Sequence, residues 1–239
     1  MTPAVVVTAK EDNMASSDGS QITRWHIATI LLLVLGYSGY YFCRSDYSVA
    51  LPLILADQVK HGVARDVAEI RLGSIASLGV LAYAIGKFPS GGIADLLGGR
   101  RNFLGGMVGS ILFTVMFMLG GGFPIFTLAW IGNRFIQSLG WAGLVKVTSR
   151  WFSYSTYGTV MAIMSLSYLF GDAISREIMS VLLTYGLGWR GIFGAGAGLL
   201  FIIFLLNLFF LKESSETLGL PAPKENPRNL FAGDRKSVV

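Results

Sequence analysis

Apolar runs long enough to cross a bilayer recur along this chain, at about 25–55, 70–97, 102–121, 124–149, 157–185 and 188–211. The hydrocarbon core of a membrane is spanned by roughly 20 helical residues, so each run reads as a transmembrane helix. With 53% hydrophobic and only 14% charged residues, the composition argues against a soluble domain. The expected fold class is an all-α polytopic membrane protein with six transmembrane helices. Residues 1–22 form a mixed polar tail without helical periodicity, 23–212 the bundle, and 213–239 a second polar tail. The boundary at Leu211 is abrupt, because Lys212-Glu213-Ser214-Ser215-Glu216 follows at once.

Crossing a bilayer an even number of times puts both ends on one side. That side carries Arg24, Arg100, Arg101, Arg150, Lys212 and the cations of both tails, whereas the other has only Lys60, Arg65, Arg71 and Arg190. Lysine and arginine accumulate on the cytoplasmic face, so both termini are expected there, in a cell (inner) membrane. The outer turns, Gly120-Gly121-Gly122 and Gly186 with Gly188, fit tight hairpins, and Trp25 and Trp189 suit the interface. Gly105 with Gly109, and Gly194 with Gly198, read as close helix–helix approaches. The single cysteine, Cys43, excludes an internal disulfide or a cysteine-based metal site, and His26 and His61 sit at span ends without ligand spacing. No cleavable signal peptide is evident. The positive charges bracket spans instead of lining one surface, so no nucleic-acid partner is expected. No metal, cofactor or nucleophile–base pair is legible, and no enzymatic role is expected.

Arg44 lies just past the middle of the first run, where an arginine costs roughly 2.5–3.5 kcal/mol on insertion scales. On a helix, Tyr37, Tyr40, Tyr41, Arg44 and Ser48 fall on one broad face. A guanidinium framed by phenols can receive an oxyanion bidentately; the alternative is an arginine satisfied by a neighbouring helix. Lys87 and Lys146 lie nearer the ends of their spans, where snorkelling accounts for a lysine. Asp172 and Arg176 make an i,i+4 pair in the fifth span. That pair is either self-neutralised or makes Asp172 a proton-coupling carboxylate, and Glu177 keeps the second reading open.

The loop Gly91-Gly92-Ile93-Ala94-Asp95-Leu96-Leu97-Gly98-Gly99-Arg100-Arg101 joins the second and third spans. Gly98 and Gly99 permit a sharp turn, Asp95 can accept hydrogen bonds at a helix end, and Arg100 and Arg101 hold the loop inside. This pattern resembles the signature loop of the major facilitator superfamily. Arg134-Phe135-Ile136-Gln137-Ser138-Leu139-Gly140-Trp141-Ala142, in the fourth span, is similar to that superfamily's second signature, in which Arg134, Gln137 and Gly140 are the matched positions.

Within the superfamily the chain most resembles the organophosphate:phosphate antiporters, which exchange glycerol 3-phosphate or hexose phosphates for phosphate. The likeness covers about residues 23–223 and includes Gln137-Ser138-Leu139-Gly140-Trp141, Arg150-Trp151-Phe152-Ser153 and the stretch from Glu213 to Pro221. It implies that Arg44 binds the phosphoryl group, that Tyr37, Tyr40 and Tyr41 shape the pocket, and that Lys87 adds a second cation. Tyr168 stands where bacterial members carry a substrate-contacting histidine. The implied activity is exchange of a phosphorylated metabolite by alternating access; the alternatives are a proton-coupled organic-anion transporter using Asp172 and a non-transporting sensor of sugar phosphates. The implied partners are the lipid bilayer, a small anionic substrate with inorganic phosphate, and a second six-helix half. That half would bring another phosphate-binding arginine and the partner of Asp95. Its absence from this sequence reads as truncation, as two chains making one transporter, or as a homodimer. The tail after Pro221 looks like an interrupted central linker, which favours truncation. Nothing in the sequence identifies the organic moiety.

Overall fold

The computed structural model describes residues 22–224. Of the expected tails, 1–22 and 213–239, residues 1–21 and 225–239 therefore lie outside the described residues. The elements are α1 (Arg24–Gly39), α2 (Phe42–Lys60), α3 (Arg65–Leu97), α4 (Gly99–Leu119), α5 (Phe123–Trp151), α6 (Tyr154–Thr184), α7 (Trp189–Phe210) and a short 3-10 turn, Ser215–Leu218. The described residues contain no strand. Five helical stretches are long and apolar enough to cross a membrane, counting Arg24–Lys60 as one of 37 residues. The 29-residue α5 falls outside that class because it carries Asn133, Arg134, Gln137, Lys146 and Arg150. It can carry them because α3 and α4 pack along it and cover its polar face.

The first span is not one continuous helix. It breaks between Gly39 and Phe42, where Tyr41, Cys43 and Arg44 donate three residues back, to Ser38, Tyr40 and Tyr41. Cys43 leaves the helical region altogether, at φ −99° and ψ 17°. Proline does not cause this, since Pro52 sits within α2 further along. Side-chain bonds hold the break instead: the Tyr40 hydroxyl donates to the Phe103 carbonyl of α4 at 2.5 Å, and Gln137 Nε2 of α5 donates to the Cys43 carbonyl at 2.9 Å. Backbone groups freed inside a membrane need such substitutes.

The bundle core fills the space between α4, α5 and α7. Phe117 stacks on Phe126 and on Phe193, with ring centres 4.6 and 4.5 Å apart, and Trp189 meets all three edge-on. Such geometry adds to the area these rings bury. Gly140 lets α5 approach the break after α1: a Cβ there would lie 2.9 Å from the Tyr40 ring, which Gly106 of α4 abuts from another side. Gly140→Ala is expected to lower stability by roughly 1–3 kcal/mol through overpacking, read as a reduced thermal midpoint in detergent. An unchanged midpoint would mean that Tyr40 can move aside.

α3 and α6 are the least covered helices: 28% of the apolar stretch of each is buried, against 39–50% in the other candidate spans. Phe88 and Leu96 of α3 are 88% and 87% exposed, and Leu169 and Phe170 of α6 also face outward.

Candidate functional site

Arg44 is placed by the helix break and then aimed by Gln137. Its Nε donates to Gln137 Oε1 at 2.9 Å and its Nη1 to the Tyr41 hydroxyl at 3.2 Å. The amide of Gln137 is fully used, since Nε2 donates both to the Cys43 carbonyl and to Asn133 Oδ1, the latter at 2.6 Å. Asn133 in turn donates to the Ser110 carbonyl and to Thr114 Oγ1 of α4. A chain of satisfied polar groups thus runs from α4 through α5 to one edge of the guanidinium, which fixes its plane.

The other face of that guanidinium meets Tyr83, on α3. The Arg44 Cζ lies 4.6 Å from the Tyr83 ring centre, Lys87 Nζ 4.8 Å and Arg134 Cζ 5.1 Å. Three cations from three helices therefore gather on one phenol, while Tyr41 supplies a further ring 4.8 Å from Arg44. Cation–π attraction offsets part of their mutual repulsion. Among the described residues, none of the three forms an ion pair. Three cations that pair with no carboxylate raise a positive potential inside the bundle, which favours a nearby anion.

A cavity of about 430 Å³ opens beside them, and Tyr41, Arg44, Arg134, Tyr168, Asp172 and Arg176 are among its lining residues. Asp172 and Arg176 pair as their spacing suggests, Nε to Oδ2 at 2.9 Å, and Asp172 Oδ1 also accepts from Ser45 Oγ at 2.6 Å. Tyr168 stands at the wall of the cavity and is 42% exposed.

The tyrosines of the first span separate. Tyr41 lines the cavity; Tyr37 lies behind it, buried against Tyr41 and Trp141; Tyr40 turns toward α4 and does not line it. The shared face expected from an unbroken helix is lost at the break, which rotates Tyr40 away from Arg44.

The residues of the signature loop form a second cluster, at the far end of the bundle. Gly98, at φ 90°, makes the turn from α3 to α4, and a side chain there would be strained. Glu213 accepts the backbone N–H groups of Gly99 and Arg100 at 2.8 and 2.7 Å, capping α4, and also pairs with Arg150 at 2.7 Å. The Arg100 side chain donates to the carbonyls of Leu211 and Leu208, at the end of α7. Lys146 reaches Asp95 at 2.6 Å, an ion pair within this chain in place of the snorkelling that its position suggests. Gly91 and Arg101 are exposed at the surface.

Three participants were not legible as such in the sequence. Tyr83 lies one helical turn before Lys87, so an aromatic residue paired with a cation on one helix face was the available signal. Arg134 was visible only as part of a signature, although its place one turn from Gln137 puts both on one face of α5. Glu213 looked like the polar end of the last span.

The family model of the Major Facilitator Superfamily matches residues 33–238. Among curated relatives, a probable hexose phosphate transport protein of Chlamydia muridarum is 29% identical over 202 residues, covering 84% of this chain and 42% of the relative. A membrane sensor protein, UhpC of Escherichia coli, is 27% identical over 84% of this chain and 44% of its own, and a glycerol-3-phosphate transporter of Bacillus subtilis is 24% identical over 90% and 49%. The chain thus spans less than half the length of these relatives. Solved structures with the same arrangement of helices include the peptide transporter POT (TM-score 0.65, 14% identity, 87% of this chain and 42% of that one) and the inward-open xylose transporter XylE of E. coli (TM-score 0.63, 13% identity, 81% and 49%). At these identities they speak for the fold alone. The chain, a bundle of transmembrane helices around a cationic cavity, belongs to the Major Facilitator Superfamily.

Proposed function

We propose that this chain is one six-helix half, the amino-terminal one, of a transporter that exchanges a phosphorylated metabolite for inorganic phosphate by alternating access. The observation that carries this reading is the gathering of Arg44, Lys87 and Arg134 around Tyr83 without a carboxylate partner. A phosphate monoester brings about −1.5 to −2 charges at neutral pH, which several cations at one site would balance. The names of the chlamydial and Bacillus relatives point to the same substrate class. In the mechanism, Arg44 grips the phosphoryl oxygens while Tyr41 and Tyr83 hold its plane, Lys87 and Arg134 add charge, and Tyr168 hydrogen-bonds the organic part. No chemical bond is broken, so the role is not enzymatic.

A second half would complete the cavity. The uncovered flanks of α3 and α6 support this, because they leave large apolar side chains on either side of the open cavity. The lysine and arginine bias supports a cytoplasmic position for both termini, and the reading puts the protein in the cell (inner) membrane. The bundle of 23–212 is the transport unit, and 213–239 begins the linker to the second half.

The test is phosphate exchange in proteoliposomes, run on this chain and on a version fused to a superfamily carboxy-terminal half. Exchange by the fused protein alone supports the half-transporter reading; exchange by the chain alone requires a dimer. Absence of exchange by both, with phosphate still bound, supports the sensor reading that the UhpC relative raises.

Gln137→Leu offers a separate check on how the site is held. Leucine fits the volume but leaves Arg44 Nε and the Cys43 carbonyl without partners, each worth about 1–3 kcal/mol when buried. Phosphate affinity, by titration calorimetry, should fall at least about tenfold. An unaltered affinity would mean that Gln137 does not aim Arg44.

A further inference from the structure

The wall that α6 gives the cavity differs in kind from the wall that gathers the cations. Tyr168, Asp172 and Arg176 recur at four-residue spacing, so they stand in a row along α6, and all three line the cavity. That row is fastened beside the phosphoryl receptor: Ser45, the residue after Arg44, donates from Oγ to Asp172 Oδ1 at 2.6 Å. Before the break, Ser38 Oγ donates to the Ser167 carbonyl at 2.9 Å. Gly171 lies so close to Ser38 that a Cβ on it would come within 2.7 Å of the Ser38 Cα. α6 is thus held to the first span on both sides of the break, which fixes Asp172 relative to Arg44.

Asp172 and Arg176 join through one bond only, Arg176 Nε to Asp172 Oδ2 at 2.9 Å. A carboxylate accepts roughly four hydrogen bonds and a guanidinium donates roughly five. Asp172 uses one on each oxygen, and among the described residues both Nη groups of Arg176 lack a hydrogen-bond partner. The two side chains are 37% and 48% exposed, so the unused acceptors and donors are open to a ligand. A guanidinium that served only to neutralise the carboxylate would take both oxygens with its fork. Here Ser45 takes the second oxygen and the fork stays free.

We propose that Asp172 and Arg176 form the specificity-determining subsite for the organic part of the anion, and that this part is an uncharged polyol with hydroxyls on neighbouring carbons. This rests on the anion-binding reading of the cavity. The pair carries no net charge, so it rewards no charged group. A ligand carboxylate would gain from Arg176 and lose against Asp172, and an ammonium the reverse. A hydroxyl suffers neither, because it donates to Asp172 and accepts from Arg176; two adjacent hydroxyls engage both residues at once. With the phosphoryl group on Arg44, the ester chain runs along α6 to this pair. Sugar and glycerol phosphates fit that description, whereas phosphorylated carboxylic acids and aminoalkyl phosphates do not.

Titration calorimetry on the purified chain in detergent tests this, with inorganic phosphate as the reference ligand. The probes are glucose 6-phosphate, glycerol 3-phosphate, propyl phosphate, 3-phosphoglycerate and phosphoethanolamine. The expected result is that glucose 6-phosphate or glycerol 3-phosphate, the tighter of which identifies the polyol, binds at least about tenfold tighter than propyl phosphate, which lacks the hydroxyls. Asp172→Asn leaves Arg176 uncompensated, so affinity for 3-phosphoglycerate relative to inorganic phosphate should rise at least about tenfold. Arg176→Gln should raise the relative affinity for phosphoethanolamine in the same way. A pair with a merely structural role predicts neither gain. Equal binding of polyol esters and propyl phosphate, with inorganic phosphate bound, overturns the subsite and leaves the anion-binding reading standing. Unshifted preferences in both variants overturn it too. No heat with inorganic phosphate overturns the anion-binding reading and the subsite with it. Should Asp172→Asn fail to fold, Arg176→Gln and the preferences of the parent chain decide.

Discussion

Arg44→Lys is expected to abolish phosphate exchange and weaken phosphate binding by at least about 100-fold. Lysine preserves the positive charge, so a purely electrostatic site would tolerate it. The geometry asks for more than charge: Arg44 donates through Nε to Gln137 and through Nη1 to Tyr41 while its plane rests on Tyr83. An ammonium cannot hold two fixed partners and also present a planar fork to an oxyanion. Losing two hydrogen bonds to a charged group, each about 1.5–3 kcal/mol, more than accounts for two orders of magnitude. Exchange at the parental rate in Arg44→Lys would sink the assignment of Arg44 as the phosphoryl receptor.

Glu213→Ala should produce the largest loss of stability away from the cavity. The carboxylate holds two otherwise unpaired N–H groups at the start of α4 and, through Arg150, the end of α5. Removing a helix cap costs about 1 kcal/mol, and charged acceptors roughly double the strength of such bonds. About 2–3 kcal/mol is therefore expected, read as a lowered thermal midpoint, with faster tryptic cleavage at Arg100 and Arg101. Glu213→Gln, which keeps an acceptor, should fall between. A protease-resistant Glu213→Ala protein with the parental midpoint would show that Arg100 and Lys146 alone close this end.

Much of the fold was legible because a bilayer leaves a chain few options: length and apolarity define spans, and a charge among them stands out. Arg44 was legible for that reason. The helix break beside it was not, because its causes lie elsewhere in the chain: the Phe103 carbonyl, about 60 positions away, anchors the Tyr40 hydroxyl, and the Gln137 amide, about 90 positions away, takes up the Cys43 carbonyl. An unbroken helix would put Tyr40 on the cavity face; it turns toward α4 instead. Tyr83 escaped notice because nothing about a lone tyrosine on an apolar helix shows that arginines from two other helices will converge on it. Lys146 could be read as snorkelling because the reach to Asp95 depends on how α3 and α5 cross. The superfamily signatures made the helix-joining loop recognisable, but not the carboxylate beyond the last span that closes it.

The break in the first span also changes where that span yields. A membrane helix ordinarily opens from its ends, where water can take up released backbone groups. Here the weakest stretch of backbone, with its shortened turns and a carbonyl held by a side chain, lies in the middle, directly before Arg44. The segment that carries Arg44 is thus joined to α1 through this break, while the stacked rings of Phe117, Phe126 and Phe193 tie α4, α5 and α7 together. Compliance is thereby concentrated directly before the Arg44 guanidinium instead of at an end of the span.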